Sequence, residues 1–235
     1  MFKLLWYTYF AFYLLFISII GKIKLFFIRK KSDRDGDLYA YEMTRNISRH
    51  VLKISKTKMD IRGVENIPEE PCIFVCNHQA IFDAFLLIAN ISKITGFISK
   101  IEIKSYPLIG YWIKQMHSVF IDRKNIRQAV KAIDEGVENL KKGYSMIIFP
   151  EGTRSLKSEM AEFKKGSMKL AIKAGVPIVP ITIDGTYRVL EVGNKVQGHL
   201  VKMIVHKPIY LNEISKYDRK NLSQLVHDLI EKGIS

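Results

Sequence analysis

Cysteine is scarce: the 235-residue chain has two, Cys72 and Cys76. A zinc site would need two more ligands at finger-like spacing, and the sequence offers none. Both fall within a predicted strand, where side chains four apart share a face. They read as small buried apolar residues in a reducing compartment. Catalytic signatures are missing too. There is no Gly-x-Ser-x-Gly elbow, no Walker loop and no His-Glu-x-x-His, so a protein nucleophile, a nucleotide cradle and a zinc protease site all lack their sequence basis. Acidic residues are outnumbered, 23 Asp+Glu against 37 Lys+Arg, giving a net charge of +14. That excess suggests an anionic partner, which is nucleic acid, an acidic membrane surface or a phosphorylated substrate, with solubility alone as the plainer reading. Nucleic acid is the weakest of these, because no reader motif is present and the basic residues are interleaved with aromatics only near the N-terminus. No internal repeat or low-complexity linker divides the chain. With 48% hydrophobic residues, it can build one substantial domain with a small appendage.

Charge is also missing from Leu4 to Ile20, a run of 17 residues, near the lower limit of about 17–25 for a membrane-spanning helix. A cleaved signal would end in small residues, whereas Gly21-Lys22-Ile23-Lys24 follows here, which argues against cleavage. Trp6, Tyr7, Tyr9 and Tyr13 suit the headgroup boundary. Leu25–Ile28, set among Lys22, Lys24, Arg29, Lys30 and Lys31, has the pattern of a segment lying on a charged surface. A spanning helix and an interfacial anchor therefore both remain open. The positive charge follows the apolar run, which places the rest of the chain on the cytoplasmic face. Asp37–Lys56 has helical spacing at Leu38, Tyr41, Ile47, Val51 and Ile54. It returns along the first helix as a hairpin or begins the soluble domain. The expected division is a membrane anchor over 1–56 and a catalytic domain over 57–235.

Beyond the anchor, strand and helix patterns alternate. Cys72–Cys76, Gly96–Ser99, Ser118–Ile121, Ser145–Phe149 and Leu200–Val205 read as strands. Ile81–Ile91, Lys164–Ala174 and Asn221–Lys232 read as helices. The clearest helix carries one stripe, Ile126, Val130, Ile133, Val137 and Leu140, at steps of four and three. Tyr106–Trp112 is an apolar segment interrupted by Pro107 and Gly110. Val176–Ile181 is a strand whose prolines, Pro177 and Pro180, suit an edge or terminal position. The fold class predicted is α/β, a mixed sheet flanked by helices, with an N-terminal membrane-associated helix or hairpin.

Candidate chemistry collects where strands end. Asn77-His78-Gln79-Ala80-Ile81-Phe82-Asp83 lies between a strand and a helix, where α/β proteins expose reactive side chains. His78 with Asp83 makes a general base and its orienting carboxylate. Taken alone, the pair reads more readily as a helix-capping histidine and a solvated aspartate; the other motifs, in order, reverse that. Phe120-Ile121-Asp122-Arg123 puts a guanidinium just past a second strand. Phe149-Pro150-Glu151-Gly152-Thr153-Arg154-Ser155 puts another past a third, with a glycine and two hydroxyls. Two arginines at strand ends can grip a phosphate through bidentate hydrogen bonds, and Gly152 lets the backbone approach closely. A base without a protein nucleophile points to a hydroxyl supplied by the substrate.

These segments, with Val176–Pro180, resemble the four ordered motifs of the glycerolipid acyltransferases over about residues 72–183. Within that family the likeness is greatest to bacterial 1-acyl-sn-glycerol-3-phosphate acyltransferases. The resemblance implies transfer of an acyl chain from acyl-CoA or acyl-carrier protein to the 2-hydroxyl of lysophosphatidate, giving phosphatidate. It implies His78 as base and Asp83 as its partner. It implies acceptor binding by Arg123, Glu151, Gly152, Thr153 and Arg154, with Lys100 a further basic contributor. No metal or cofactor is expected, since a thioester is already activated. An oxyanion donor near Gly152 is required by the chemistry but not located by the sequence. The expected partners are the acyl donor, the lysolipid and membrane lipids, not nucleic acid. A different lysolipid acceptor and a catalytically silent lipid-binding module remain as alternatives.

Overall fold

Short apolar runs form the sheet, and a computed structural model describes residues 1–122, 125–164 and 166–234, with residue 126 as backbone only. Among these described residues the strands are β1 (Lys58–Arg62), β2 (Ile73–Cys76), β3 (Thr95–Lys100), β4 (Val119–Ile121), β5 (Ser145–Ile148), β6 (Ile178–Asp184) and β7 (Leu200–Val205). They lie side by side in the order β1-β7-β6-β2-β5-β3-β4. Every adjacent pair is parallel except β6–β7, so the sheet is mixed, as the sequence predicts. The helices are α1 (Lys3–Arg29), α2 (Asp33–Ile54), α3 (Phe82–Asn90), α4 (Pro107–Gln115), α5 (Ile126–Lys141), α6 (Lys169–Ala174), α7 (Tyr187–Leu190), α8 (Lys216–Lys220) and α9 (Leu222–Glu231).

β2 explains the layering. All four of its residues are buried, as expected for a parallel strand covered on both faces. Phe74 and Cys76 join the core on one face, with Val51 and Leu52 of α2 and Phe82, Leu86 and Leu87 of α3. Ile73 and Val75 point the other way, into a second core with Ala132, Val137 and Leu140 of α5 and Val226 and Ile230 of α9. The period of two along the strand thus divides the interior into two cores.

Three expectations are corrected. β6 is not an edge or terminal strand: it lies between β2 and β7. Its Pro180 is tolerated because the antiparallel ladder to β7 starts only at Ile181↔Val205, one residue further on. The Pro180 carbonyl still accepts His206 N–H at 3.0 Å. The missing donor therefore falls just past the end of β7, where it breaks no ladder bond. Second, the helix expected from Lys164 begins at Lys169, since Gly166 takes φ +85° and the chain turns there. Third, Tyr106–Trp112 is not merely an interrupted segment. Pro107 opens α4 at its first turn, where its missing N–H has no helical partner to lose.

α1 and α2 form an antiparallel pair. Tyr9 Oη and His50 Nε2 lie 2.7 Å apart near one end, and Arg29 Nη2 donates to Asp37 Oδ1 at 2.9 Å near the other. The buried residues of α1 are Trp6, Leu14, Ser18, Gly21 and Leu25, a stripe running most of its length. A Cβ on Gly21 would lie 2.8 Å from Met43 and 2.9 Å from the Trp112 ring, so glycine is what lets α1 approach. Trp112 Nε1–H donates to Ser18 Oγ at 2.8 Å. α2 also packs on α3, so the pair is joined to the α/β body along its length. The opposite side of α1 exposes Leu4, Leu5, Phe12, Phe16, Ile23, Phe26 and Phe27. It is a helix long and apolar enough to cross a membrane.

Candidate active site

The chain leaves β2 at Cys76 and enters α3 at Phe82. Asn77 fixes the exit: its side chain accepts Ile183 N–H at 2.7 Å and donates to the Ile183 carbonyl at 2.8 Å. His78 follows, with its side chain 20% exposed. Its Nδ1 lies 2.7 Å from Asp83 Oδ2, and its ring stacks on Phe149 at 4.0 Å. Asp83 sits in the first turn of α3 and is completely buried, a place where the helix dipole favours a carboxylate. Its Oδ2 also accepts Ala80 N–H at 2.9 Å, and its Oδ1 accepts the Thr186 hydroxyl. An ionised carboxylate only accepts, so Nδ1 carries the proton in this pair and Nε2 is the basic nitrogen of the ring.

The turn after β5 is joined to this one. Glu151 is buried, and its oxygens accept His78 N–H at 2.6 Å and Ala161 N–H at 2.8 Å. Burial pushes its pKa above the ordinary glutamate value, against the pull of those two donors. Each oxygen thus holds one backbone N–H, which ties Glu151 to both turns and leaves each oxygen a further lone pair. Gly152 takes φ +75°, and its N–H closes the turn on the Phe149 carbonyl at 3.1 Å. Ser155 N–H and Leu156 N–H then reach back to the carbonyls of His78 and Gln79 at 2.8 and 3.1 Å.

The basic residues are arranged more openly. Arg154 is exposed and pairs with Glu191 at 3.0 Å. The same Glu191 oxygen accepts Ile81 N–H at 3.3 Å. Thr153 is exposed, and Lys100 is exposed at the end of β3. Because β2, β5 and β3 are parallel neighbours, Lys100 and the two turns lie at one edge of the sheet, beyond its carboxyl ends. Arg123, expected beside them, lies outside the described residues. Cys76, two residues before His78, is buried, and burial first and the Asp83 charge second push its thiol pKa well up. Such a thiol is inert as a nucleophile.

Phe149 opens the third of the segments read in the sequence, whereas Thr186 and Glu191 contact the site and carry no signal in the sequence that would single them out. Thr186 follows the end of β6, which pairs directly with β2. The strand order that brings the Asp184-Gly185-Thr186 turn to Asp83 is not visible in the sequence.

A family model described as Acyltransferase matches residues 58–184. A chloroplastic 1-acyl-sn-glycerol-3-phosphate acyltransferase of Brassica napus is 41% identical over 65% of this chain and 45% of its own length. A probable 1-acyl-sn-glycerol-3-phosphate acyltransferase of Mycoplasma pneumoniae is 34% identical over 74% of this chain and 70% of its own. The chain therefore spans less than half the length of the plant relative and most of the bacterial one. Among solved structures, the 1-acyl-sn-glycerophosphate acyltransferase PlsC of Thermotoga maritima superposes with a TM-score of 0.84 at 28% identity, covering 98% of this chain and 94% of that one.

Proposed function

The chain belongs to the acyltransferase family, and on that premise we propose that it acylates the 2-hydroxyl of 1-acyl-glycerol-3-phosphate from a thioester donor, acyl-CoA or acyl-carrier protein. The observation that carries the mechanism is the 2.7 Å contact between His78 Nδ1 and buried Asp83. A secondary alcohol is a poor nucleophile at neutral pH. Nε2 of His78 takes its proton as the oxygen attacks the thioester carbonyl. The carbon–sulfur bond then breaks, and the imidazolium returns the proton to the departing thiolate. Asp83 keeps the tautomer and stabilises the imidazolium. The substrate hydroxyl thus takes the place of a protease serine.

Arg154, Arg123 and Lys100 are the cations assigned to the acceptor phosphate. Thr153 and the Gly152 backbone are assigned to the same acceptor side. The relatives' names supply the acceptor, and the positive net charge of +14 suits it. The anchor reading is interfacial, with the catalytic body on the cytoplasmic face. α1 is buried against the protein from Trp6 to Leu25 and exposes apolar residues on its other side. A helix attached to the body in this way fits lying in the headgroup boundary, its apolar face down.

The test is turnover. Purified protein, lysophosphatidate and either donor should give phosphatidate by mass spectrometry, and His78→Ala should abolish it without loss of fold. Undiminished turnover in that variant removes His78 as base. Product only with another lysolipid reassigns the acceptor, and binding without product across donors and acceptors makes the protein a lipid-binding module.

A further inference from the structure

Thr186 is 1% exposed and lies outside every motif by which the site is read. Its hydroxyl donates to Asp83 Oδ1. Gln79 Oε1 is a second acceptor 3.4 Å away, but a hydroxyl has one proton and the carboxylate is the stronger acceptor. Thr186 is itself tightly held. Gly185 N–H donates to Gln79 Oε1 at 2.9 Å, and Gln79 Nε2 donates to Asp184 Oδ1 at 3.3 Å. Gly185 has φ +90°, and a Cβ there would lie 2.7 Å from the Leu200 carbonyl oxygen. The turn therefore has one way to sit, and the hydroxyl comes from a rigid support.

We propose that Thr186 is a positioning residue that locks the Asp83 carboxylate and, through it, the tautomer and aim of His78. The inference rests on the reading of His78 as the base. Rotation about the last side-chain bond of an aspartate is soft. On the Oδ2 side, His78 and Ala80 share one oxygen. Without a donor at Oδ1, the carboxylate is held from one side only, and the swing of the ring follows it. The hydroxyl also draws charge from Asp83, which moderates its grip on the imidazolium. Among the described residues, the ionisable groups that feel the pair include Cys76 on β2 and Glu151 after β5, with Asp184 at the end of β6 one step away on the Gln79 amide. Thr186 variants leave all three in place.

Four readouts test this. Thr186→Val keeps the shape and removes the donor. Its kcat should fall roughly ten-fold, the loss of one hydrogen bond to a charged group, with KM for both substrates unchanged. The acid limb of its pH–rate profile should move to higher pH, since the unrelieved carboxylate favours the protonated imidazole. Thr186→Ser should recover activity. In an Asp83→Ala background, Thr186→Val should add little further loss, because the hydroxyl then has no carboxylate to hold. Wild-type kcat and pH profile in the Val variant would overturn the proposal, as would a full independent loss in the Asp83→Ala background. If the Val variant does not fold, Thr186→Cys, a weaker donor, carries the test: reduced kcat supports the proposal and wild-type kcat overturns it. His78→Ala separates the two levels. Retained turnover there sinks the base itself, whereas a dead His78→Ala beside an unimpaired Thr186→Val sinks the Thr186 inference alone.

Discussion

Asp83→Asn removes one charge and changes almost nothing else, and the geometry around the side chain dictates the consequence. Three donors point at the carboxylate: His78 Nδ1–H at 2.7 Å, Ala80 N–H at 2.9 Å and the Thr186 hydroxyl. The first two converge on Oδ2. An amide NH₂ at that position would face the Ala80 N–H, donor against donor. The amide oxygen must therefore take the Oδ2 place and its NH₂ must face Thr186, whose hydroxyl turns to accept. His78 keeps its tautomer. What is lost is the charge that stabilises the imidazolium. A charge-assisted hydrogen bond is about twice as strong as a neutral one, and at an effective dielectric of ~20 a pair of charges 4 Å apart attracts by about 4 kcal/mol. The side chain of His78 is 20% exposed, which places the loss below that ceiling, at about 1–4 kcal/mol. That is a fall in kcat of roughly 5- to 1000-fold, with KM unchanged. It is less than the ~10⁴-fold seen when an amide reverses the tautomer in a protease triad. Initial rates with lysophosphatidate and acyl-CoA in detergent micelles, over a range of pH, measure it. An Asn variant with wild-type kcat would show that the charge does no catalytic work. A loss as deep as that of His78→Ala would show that the Ala80 N–H does not control the amide's orientation.

Glu151→Gln tests the second turn. Burial raises the Glu151 pKa, so in the wild type this group is least costly below its unfolded value and stability declines as pH rises through the raised folded value. Gln does not titrate, so the thermal midpoint of the variant relative to wild type should move in the variant's favour from pH 4 to pH 8. The variant's kcat should nevertheless fall about ten-fold, because the amide can satisfy only one of the two N–H donors; a relative midpoint moving the other way would refute the dominance of burial. Gly21→Val should destabilise by about 1–3 kcal/mol through overpacking against Met43 and Trp112, read as a lower thermal midpoint, and unchanged stability would mean that α1 is not held at this crossing. Replacing Lys22, Lys30 and Lys31 together by Gln should weaken binding to vesicles rich in anionic lipid by about 3 kcal/mol, at ~1 kcal/mol per cation. Binding to neutral vesicles should not change, and equal loss on both would assign the effect to α1 folding instead.

The sequence makes the elements legible where pattern and burial agree. β2, β5 and α5 can be read because a short, almost wholly apolar strand or a one-sided helical stripe leaves few alternatives. β1 is hidden because it is a polar edge strand, Lys-Met-Asp-Ile-Arg, with no buried residue. The start of α2 is placed late by the apolar spacing alone, although Ser32 caps it by accepting Asp35 N–H at 3.1 Å and the Ser-x-x-Asp pattern is present. The position of β6 is misjudged because proline placement depends on which neighbour faces the missing N–H, and strand order is a property of the whole sheet. The same limit hides Thr186. His78 and Asp83 are five residues apart and can be paired by eye, but the partner of Asp83 on its other side is 103 residues away.

The arrangement explains why the proposed base sits on this turn and not on another. The turn after β2 lies between the ends of two parallel neighbours, so it can be held from both sides. From β5 come the Glu151 carboxylate on His78 N–H and two backbone bonds from Ser155 and Leu156. From β6 come the Ile183 backbone on Asn77, Gly185 on Gln79 and Thr186 on Asp83. Most of these bonds run to the backbone or to buried side chains, which fixes position without blocking the His78 ring. A base that must meet a mobile lipid hydroxyl cannot rely on its substrate for alignment, and effective general-base catalysis needs hydrogen-bond reach within a few tenths of an ångström. An edge strand such as β4, with one neighbour, offers half of these supports. The central strand is therefore the position at which a His–Asp pair can be both rigid and open, which is what the proposed role of His78 requires.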